Sequence, residues 1–95
     1  MRPYELVFPE DFDDVEYEYE AKGYLTGLTL VIEGREVPLT VYDPTRLAQD
    51  IEDEVRLYGS LAVPNLLVVP KVTRDAVTDA VARLARGDFA EILIP

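Results

Sequence analysis

The order of hydrophobic periods along the chain predicts an α+β domain: an antiparallel meander within a mixed sheet of about four to six strands, with two helices packed on one face. Three observations carry that expectation. Residues 4–8 and 15–42 place apolar side chains at alternate positions, the period of a half-buried strand. Residues 44–58 and 74–86 place them three and four apart, the period of a helix. Gly or Pro stands at most changes of period, which is where turns and caps need them. With 95 residues, 48% hydrophobic and 29% charged, the chain has the balance of one ordered domain, 1–95, with little core to spare.

The first strand is expected at "YELVF" (4–8), where Tyr4, Leu6 and Phe8 alternate with Glu5 and Val7 before Pro9 and the polar run 10–14. Phe12 interrupts that run and is expected to anchor it to the core. The stretch "VEYEYE" (15–20) then alternates apolar and acidic residues. Two-residue turns at Lys22-Gly23 and Gly34-Arg35 make the faces of three strands agree. Val15 and Tyr17 lie opposite Leu30 and Leu28, these oppose Leu39 and Val41, and Ile32 meets Val37. The meander so predicted has one apolar face. Its other face carries Glu16, Glu18 and Glu20 beside Thr29, Thr40 and Tyr42.

"YDPTRLAQDIEDEVRLYG" switches to helical spacing. Asp43 suits the N-cap, Pro44 the first helical position and Gly59 the stop, with Leu47, Ile51, Val55 and Tyr58 as the apolar stripe. Arg46 with Asp50 and Glu52 with Arg56 fall at i, i+4 on its outer side. After "GSLAVPN" (59–65), the run "LLVVP" (66–70) is apolar on both faces and predicts a strand inside the sheet. A second helix is expected from the Thr73 cap, with Asp75 in the first turn, Val77, Ala80, Val81 and Leu84 as its stripe, Arg83 and Arg86 in the last turn, and Gly87 to end it. "FAEILIP" (89–95) is read as a last strand.

Composition excludes much chemistry. The chain has no Cys and no His, which removes thiol and His-activated nucleophiles, disulfides, iron–sulfur ligation and nearly all zinc sites. One Ser, one Asn and one Gln leave few side-chain donors for an oxyanion. No cofactor is expected. "DFDD" fails the EF-hand pattern, since Val15 falls where a ligand belongs and no Gly follows, so no metal is expected either. The chain shows no apolar leader and no apolar run of spanning length, which predicts a cytoplasmic protein that does not enter membranes.

The net charge of −10 is uneven, with eight acids against one base in residues 1–20 and eleven against eight in residues 21–95. Such a field opposes nucleic acid and favours encounter with a basic protein surface. The candidate partner-binding residues are accordingly Asp11, Asp13, Asp14, Glu16, Glu18, Glu20 and Tyr42: acids of one loop and one strand face, with an aromatic beside them. Binding of this kind falls steeply with salt. The alternative is a structural or accessory subunit that binds through an apolar loop (Leu61, Val63, Pro64) or an edge strand, resisting salt. An enzyme using carboxylate or Tyr chemistry is the remaining reading, and a non-enzymatic protein is expected.

"VYDPTRLAQDIEDEV" followed by "VPNLLVVPKVTRDAVTDAVARL" resembles small, acidic, uncharacterised bacterial proteins over residues 41–84. The likeness rests on capping and core positions, so it implies fold and carries no site residue across. In size and charge the chain is also similar to immunity proteins that neutralise basic toxin domains, and that likeness implies a basic protein partner.

Overall fold

The computed structural model describes residues 2–63 and 65–92. Its elements run β1 (Tyr4–Val7), α1 (Glu16–Lys22), β2 (Tyr24–Ile32), β3 (Arg35–Tyr42), α2 (Pro44–Tyr58), β4 (Leu66–Val68) and α3 (Arg74–Arg86). The sheet has four strands in the order β1-β2-β3-β4, antiparallel except for the parallel pair β3–β4. The α+β class with a mixed sheet is therefore observed, while the arrangement of its parts differs from expectation in several places.

The largest difference is "VEYEYE". It is helical from Glu16 onward, and β1 occupies the place beside β2, pairing Tyr4 with Ile32 and Leu6 with Leu30. Three glutamates along a strand face repel, and Glu is a poor strand former, whereas Glu, Ala and Lys suit a helix. Two of those glutamates, Glu16 and Glu18, fall in the first turn, where the helix dipole favours negative charge, and Lys22 falls in the last. Gly23 is thus not a hairpin residue. It ends α1 in the left-handed conformation at φ 69°, its N–H bonding back to Tyr19 and Glu20.

The β2–β3 hairpin exists with a different turn. Glu33 (φ 50°) and Gly34 (φ 81°) are the central pair, both at positive φ as a type I′ turn requires, and Ile32 pairs with Arg35. Leu30 therefore meets Val37, and Leu28 meets Leu39. The register is displaced by two residues, so residues 28–32 and 37–42 keep their expected faces, while Leu25, expected on the polar face, is turned into the core. Between Leu25 and Leu28 a bulge centred on Gly27 (φ 83°) adds a residue, and Leu25 pairs with Val41 beyond it.

The core lies on one face of this sheet. Leu25, Leu28, Leu30, Ile32, Val37, Leu39, Val41, Leu67 and Val69 are buried there under Val77, Val81, Leu84 and Ala85 of α3, with Phe12 and Phe89 closing the sides. Phe12 is fully buried, as an anchor should be. α3 covers this face, with Tyr19 of α1 packed against its margin through Phe12. No residue of α2 belongs to the core, and its polar contacts go to Tyr24 and Tyr42, one residue out of phase with Leu25 and Val41 and so on the reverse face. The expectation of two helices on one face is corrected accordingly: β3, α2 and β4 form a crossover over the back of the sheet, and α3 returns to the front.

β4 is also an edge strand rather than an interior one. Its apolar character on both faces reflects the front core on one side and the α2 side on the other. In the last predicted strand, residues 89–92 turn, with Asp88 and Phe89 at positive φ; residues 93–95 lie outside the described residues.

Candidate binding surface

One acid of the loop, Asp13, pairs with a cation of the chain itself, and Glu16 of α1 accepts a backbone N–H of the same residue. Arg74, the first residue of α3, donates from Nε to Asp13 Oδ1 at 2.8 Å, and its backbone N–H donates to Glu16 Oε2 at 2.7 Å. Its guanidinium also sits over the Phe8 ring, 4.1 Å from the centroid. Glu16 therefore caps a helix 58 residues away, satisfying an N–H that has no intrahelical partner. Tyr19 stacks on Phe12 at 5.1 Å and its hydroxyl donates to Asp11. Of the expected sheet face nothing remains as such. Asp11, Asp13, Asp14, Glu18 and Glu20 are exposed on a loop and a short helix, Glu16 is half-buried, and Tyr42 is buried elsewhere.

Tyr42 belongs to a polar hub beneath α2. Its hydroxyl donates to Asp50 Oδ2 at 2.7 Å, and Arg46 Nε donates to Asp50 Oδ1 at 2.9 Å. The Arg46 guanidinium lies over Tyr24, which packs on Tyr42 with ring centroids 4.8 Å apart, and it also donates to the Lys22 carbonyl. Burial, then the bond to Asp50, push the Tyr42 phenol far above its ordinary range. Burial alone would raise the Asp50 carboxyl; the hydrogen bonds from Tyr42 and Arg46, with the Arg46 charge, outweigh it and hold the carboxyl below the usual range. The bond to Asp50 raises Arg46 in turn. The hub fastens α2 and buries Tyr42, so Tyr42 is not a contact residue of an open face.

The apolar side of α2 is different. Ile51 is 44% exposed and Val55 48%, and across from them on β4 Leu66 is 42% exposed. Leu47, Ile51 and Val55 form one wall of a groove of about 440 Å³ whose floor and far wall are Leu61, Val63 and Leu66. Leu61 and Val63 are half-buried in it. Isolated exposed apolar residues are ordinary, but a contiguous set spanning a helix, a loop and a strand marks a surface that gains by being covered. Glu54 stands at the rim with Leu61 and Val63, half-buried and with no hydrogen bond or ion pair among the described residues.

The Leu47-Ile51-Val55 stripe looked like core because helical periodicity reports that a face is apolar, not what covers it. The acids at 50, 52, 53 and 54 were the available signal, since they crowd that stripe from both sides. Nothing in the spacing of Tyr42 and Asp50 reveals their bond.

Among the described residues no group of three or more acidic side chains could hold a metal ion, and no helix is long and apolar enough to cross a membrane. Compared with protein-family models, curated proteins and solved structures, the chain matches none of them.

Proposed function

We propose that the protein is a non-enzymatic binding subunit that docks on another protein through the apolar groove between α2 and β4. The observation that carries this reading is the pair of half-exposed apolar walls, Ile51 and Val55 facing Leu66, on a helix that contributes nothing to the core. Covering such a surface contributes roughly 25 cal/mol for each Å² of apolar area removed from water. The acidic region adds steering rather than the contact itself: the net charge of −10 speeds encounter with a basic protein at low salt.

A second reading rests on Glu18, Glu20, Asp11 and Asp14, which are exposed and lack ion pairs among the described residues. Here the N-terminal acids themselves grip a basic partner, as an immunity or inhibitor protein would. Photo-crosslinkers placed at Val55 and, separately, at Glu18 distinguish the two in lysate of the source cells. The groove reading expects one partner crosslinked from Val55, retained at high salt and lost in Ile51→Asp. A partner crosslinked from Glu18 alone and lost at high salt overturns it in favour of the acidic contact.

A further inference from the structure

Among the described residues β4 has no strand paired along its outer edge, and Leu66 adds an apolar wall. Thr40 donates to the Asn65 carbonyl and Val69 donates to the Tyr42 carbonyl, so odd-numbered residues of this stretch turn their backbone toward β3. By strict alternation Leu66 and Val68 turn theirs outward, and neither N–H has a backbone acceptor among the described residues. Native sheets blunt such edges with short strands, charge, Pro or a bulge; β4 is three residues long and Pro70 follows it, so the open edge is confined to the two amides of Leu66 and Val68. Here the edge residues are Leu66, which lines the groove, and Val68, which with Leu66 lines a second cavity beside Ala90, Glu91 and Ile92; both are exposed. An edge that presents free backbone groups and apolar side chains together has what strand addition requires: main-chain bonds for affinity and a pocket for alternate side chains.

Resting on the groove reading above, we infer that β4 receives an extended segment of a basic partner protein as a fifth strand, with alternate apolar side chains in the groove and a Lys or Arg at Glu54. Charge selects that occupant. Glu54 is half-buried beside the groove and forms no ion pair among the described residues, the Arg46 that shares its cavity being held by Asp50, whereas Asp53 is held by Arg56 and Glu91 by Arg83. A second copy of this chain would bring a second Glu54 and another net charge of −10 to the same seam, and like charges oppose it. A segment bearing Lys or Arg removes that opposition and gives Glu54 a partner.

The test uses the full chain, isotopically labelled, and three synthetic peptides read by amide exchange and chemical shift. One peptide alternates valine with threonine and ends in lysine at both sides; one replaces the lysines by glutamate; one is N-methylated at alternate residues so that it cannot pair. Expected are slowed exchange at Leu66 and Val68 with the lysine peptide, about three- to tenfold weaker binding in Glu54→Gln, and no slowing with the other two peptides. Shifts on α2 and residues 61–63 with unchanged exchange at Leu66 and Val68 overturn strand addition and leave the groove reading standing. Slow exchange at both amides in the free monomer overturns it as well, since the edge is then already satisfied. Concentration-dependent protection with dimers in sedimentation places a second copy there and overturns the choice of occupant. Should none of the peptides bind while Val55 still crosslinks, strand addition falls alone; absence of the Val55 crosslink removes the groove reading beneath it.

Discussion

Helices α2 and α3 are built by the same rules and end in different surroundings. Each starts at a side chain that accepts from the helix's third residue, Asp43 from Arg46 N–H and Thr73 from Ala76 N–H. Each stops beside a glycine and repeats apolar residues at helical spacing. Yet α3 buries Val77, Val81, Leu84 and Ala85, and α2 buries no residue at all. The difference teaches that an amphipathic pattern encodes a helix and an apolar face, while the layer that face meets depends on which side of the sheet the connection takes. α3 is held by the hydrophobic effect; α2 is fastened by the Tyr42–Asp50–Arg46 hub, and Ile51 and Val55 of its stripe stay half exposed.

That contrast is open to direct attack. Leu84→Ala, in the α3 layer, is expected to cost about 2–5 kcal/mol in urea unfolding through lost burial and a residual cavity. An outcome near zero would mean that α3 is as loosely held as α2. Gly23→Ala is expected to cost about 1–3 kcal/mol, because φ is positive there and the added methyl would collide with the Asp43 carboxylate that caps α2. Its damage should show first as faster amide exchange across α2, not α3.

Tyr42→Phe isolates the hub. It should cost about 1 kcal/mol and raise exchange in α2 selectively. The pH dependence follows from the same group of residues. Asp50 has its carboxyl lowered on folding, so its contribution is complete above the unfolded value of about 3.9 and disappears as pH falls through the depressed folded value. Tyr42 is raised, so its contribution is complete below about pH 10 and is lost as pH climbs toward its folded value. Amide exchange across an acid series is expected to show α2 loosening before α3; simultaneous loss of both would remove the hub's special role. The smallest effect is at the exposed stripe, where Val55→Ala should change stability by no more than about 0.5 kcal/mol, against a clear loss of partner crosslinking.

Much of the fold was legible because local signals agree with the final structure. The Asp43-Pro44 start and Gly59 stop bound α2, Thr73 and Gly87 bracket α3, and the strand periods assign Leu28, Leu30, Ile32, Val37, Leu39 and Val41 to one face. What was not legible depends on which segments compete for one place. "VEYEYE" satisfies a period of two on paper, but β1 takes the position beside β2, and the acidic segment becomes helical where its charges are tolerated. The site was legible in part. Leu61 and Val63, named as a candidate apolar loop, lie half-buried in the groove, whereas Tyr42 is fixed by a bond to Asp50, and Glu16 by an N–H of α3, that no spacing rule anticipates.

The β2–β3 hairpin has a consequence in time as well as in space. Its far rung, Tyr24 with Tyr42, is followed by the Asp43 N–H to Gly23 carbonyl bond, which sets the end of α1 against the start of α2. Zipping from Glu33-Gly34 outward therefore delivers two helix termini to one point in a single local event, on the microsecond scale of hairpin formation. Contacts between distant segments, such as Glu16 with Arg74, close only afterwards. The end of α1 and the start of α2 are thus joined through a hairpin, a local motif of the kind that closes fastest.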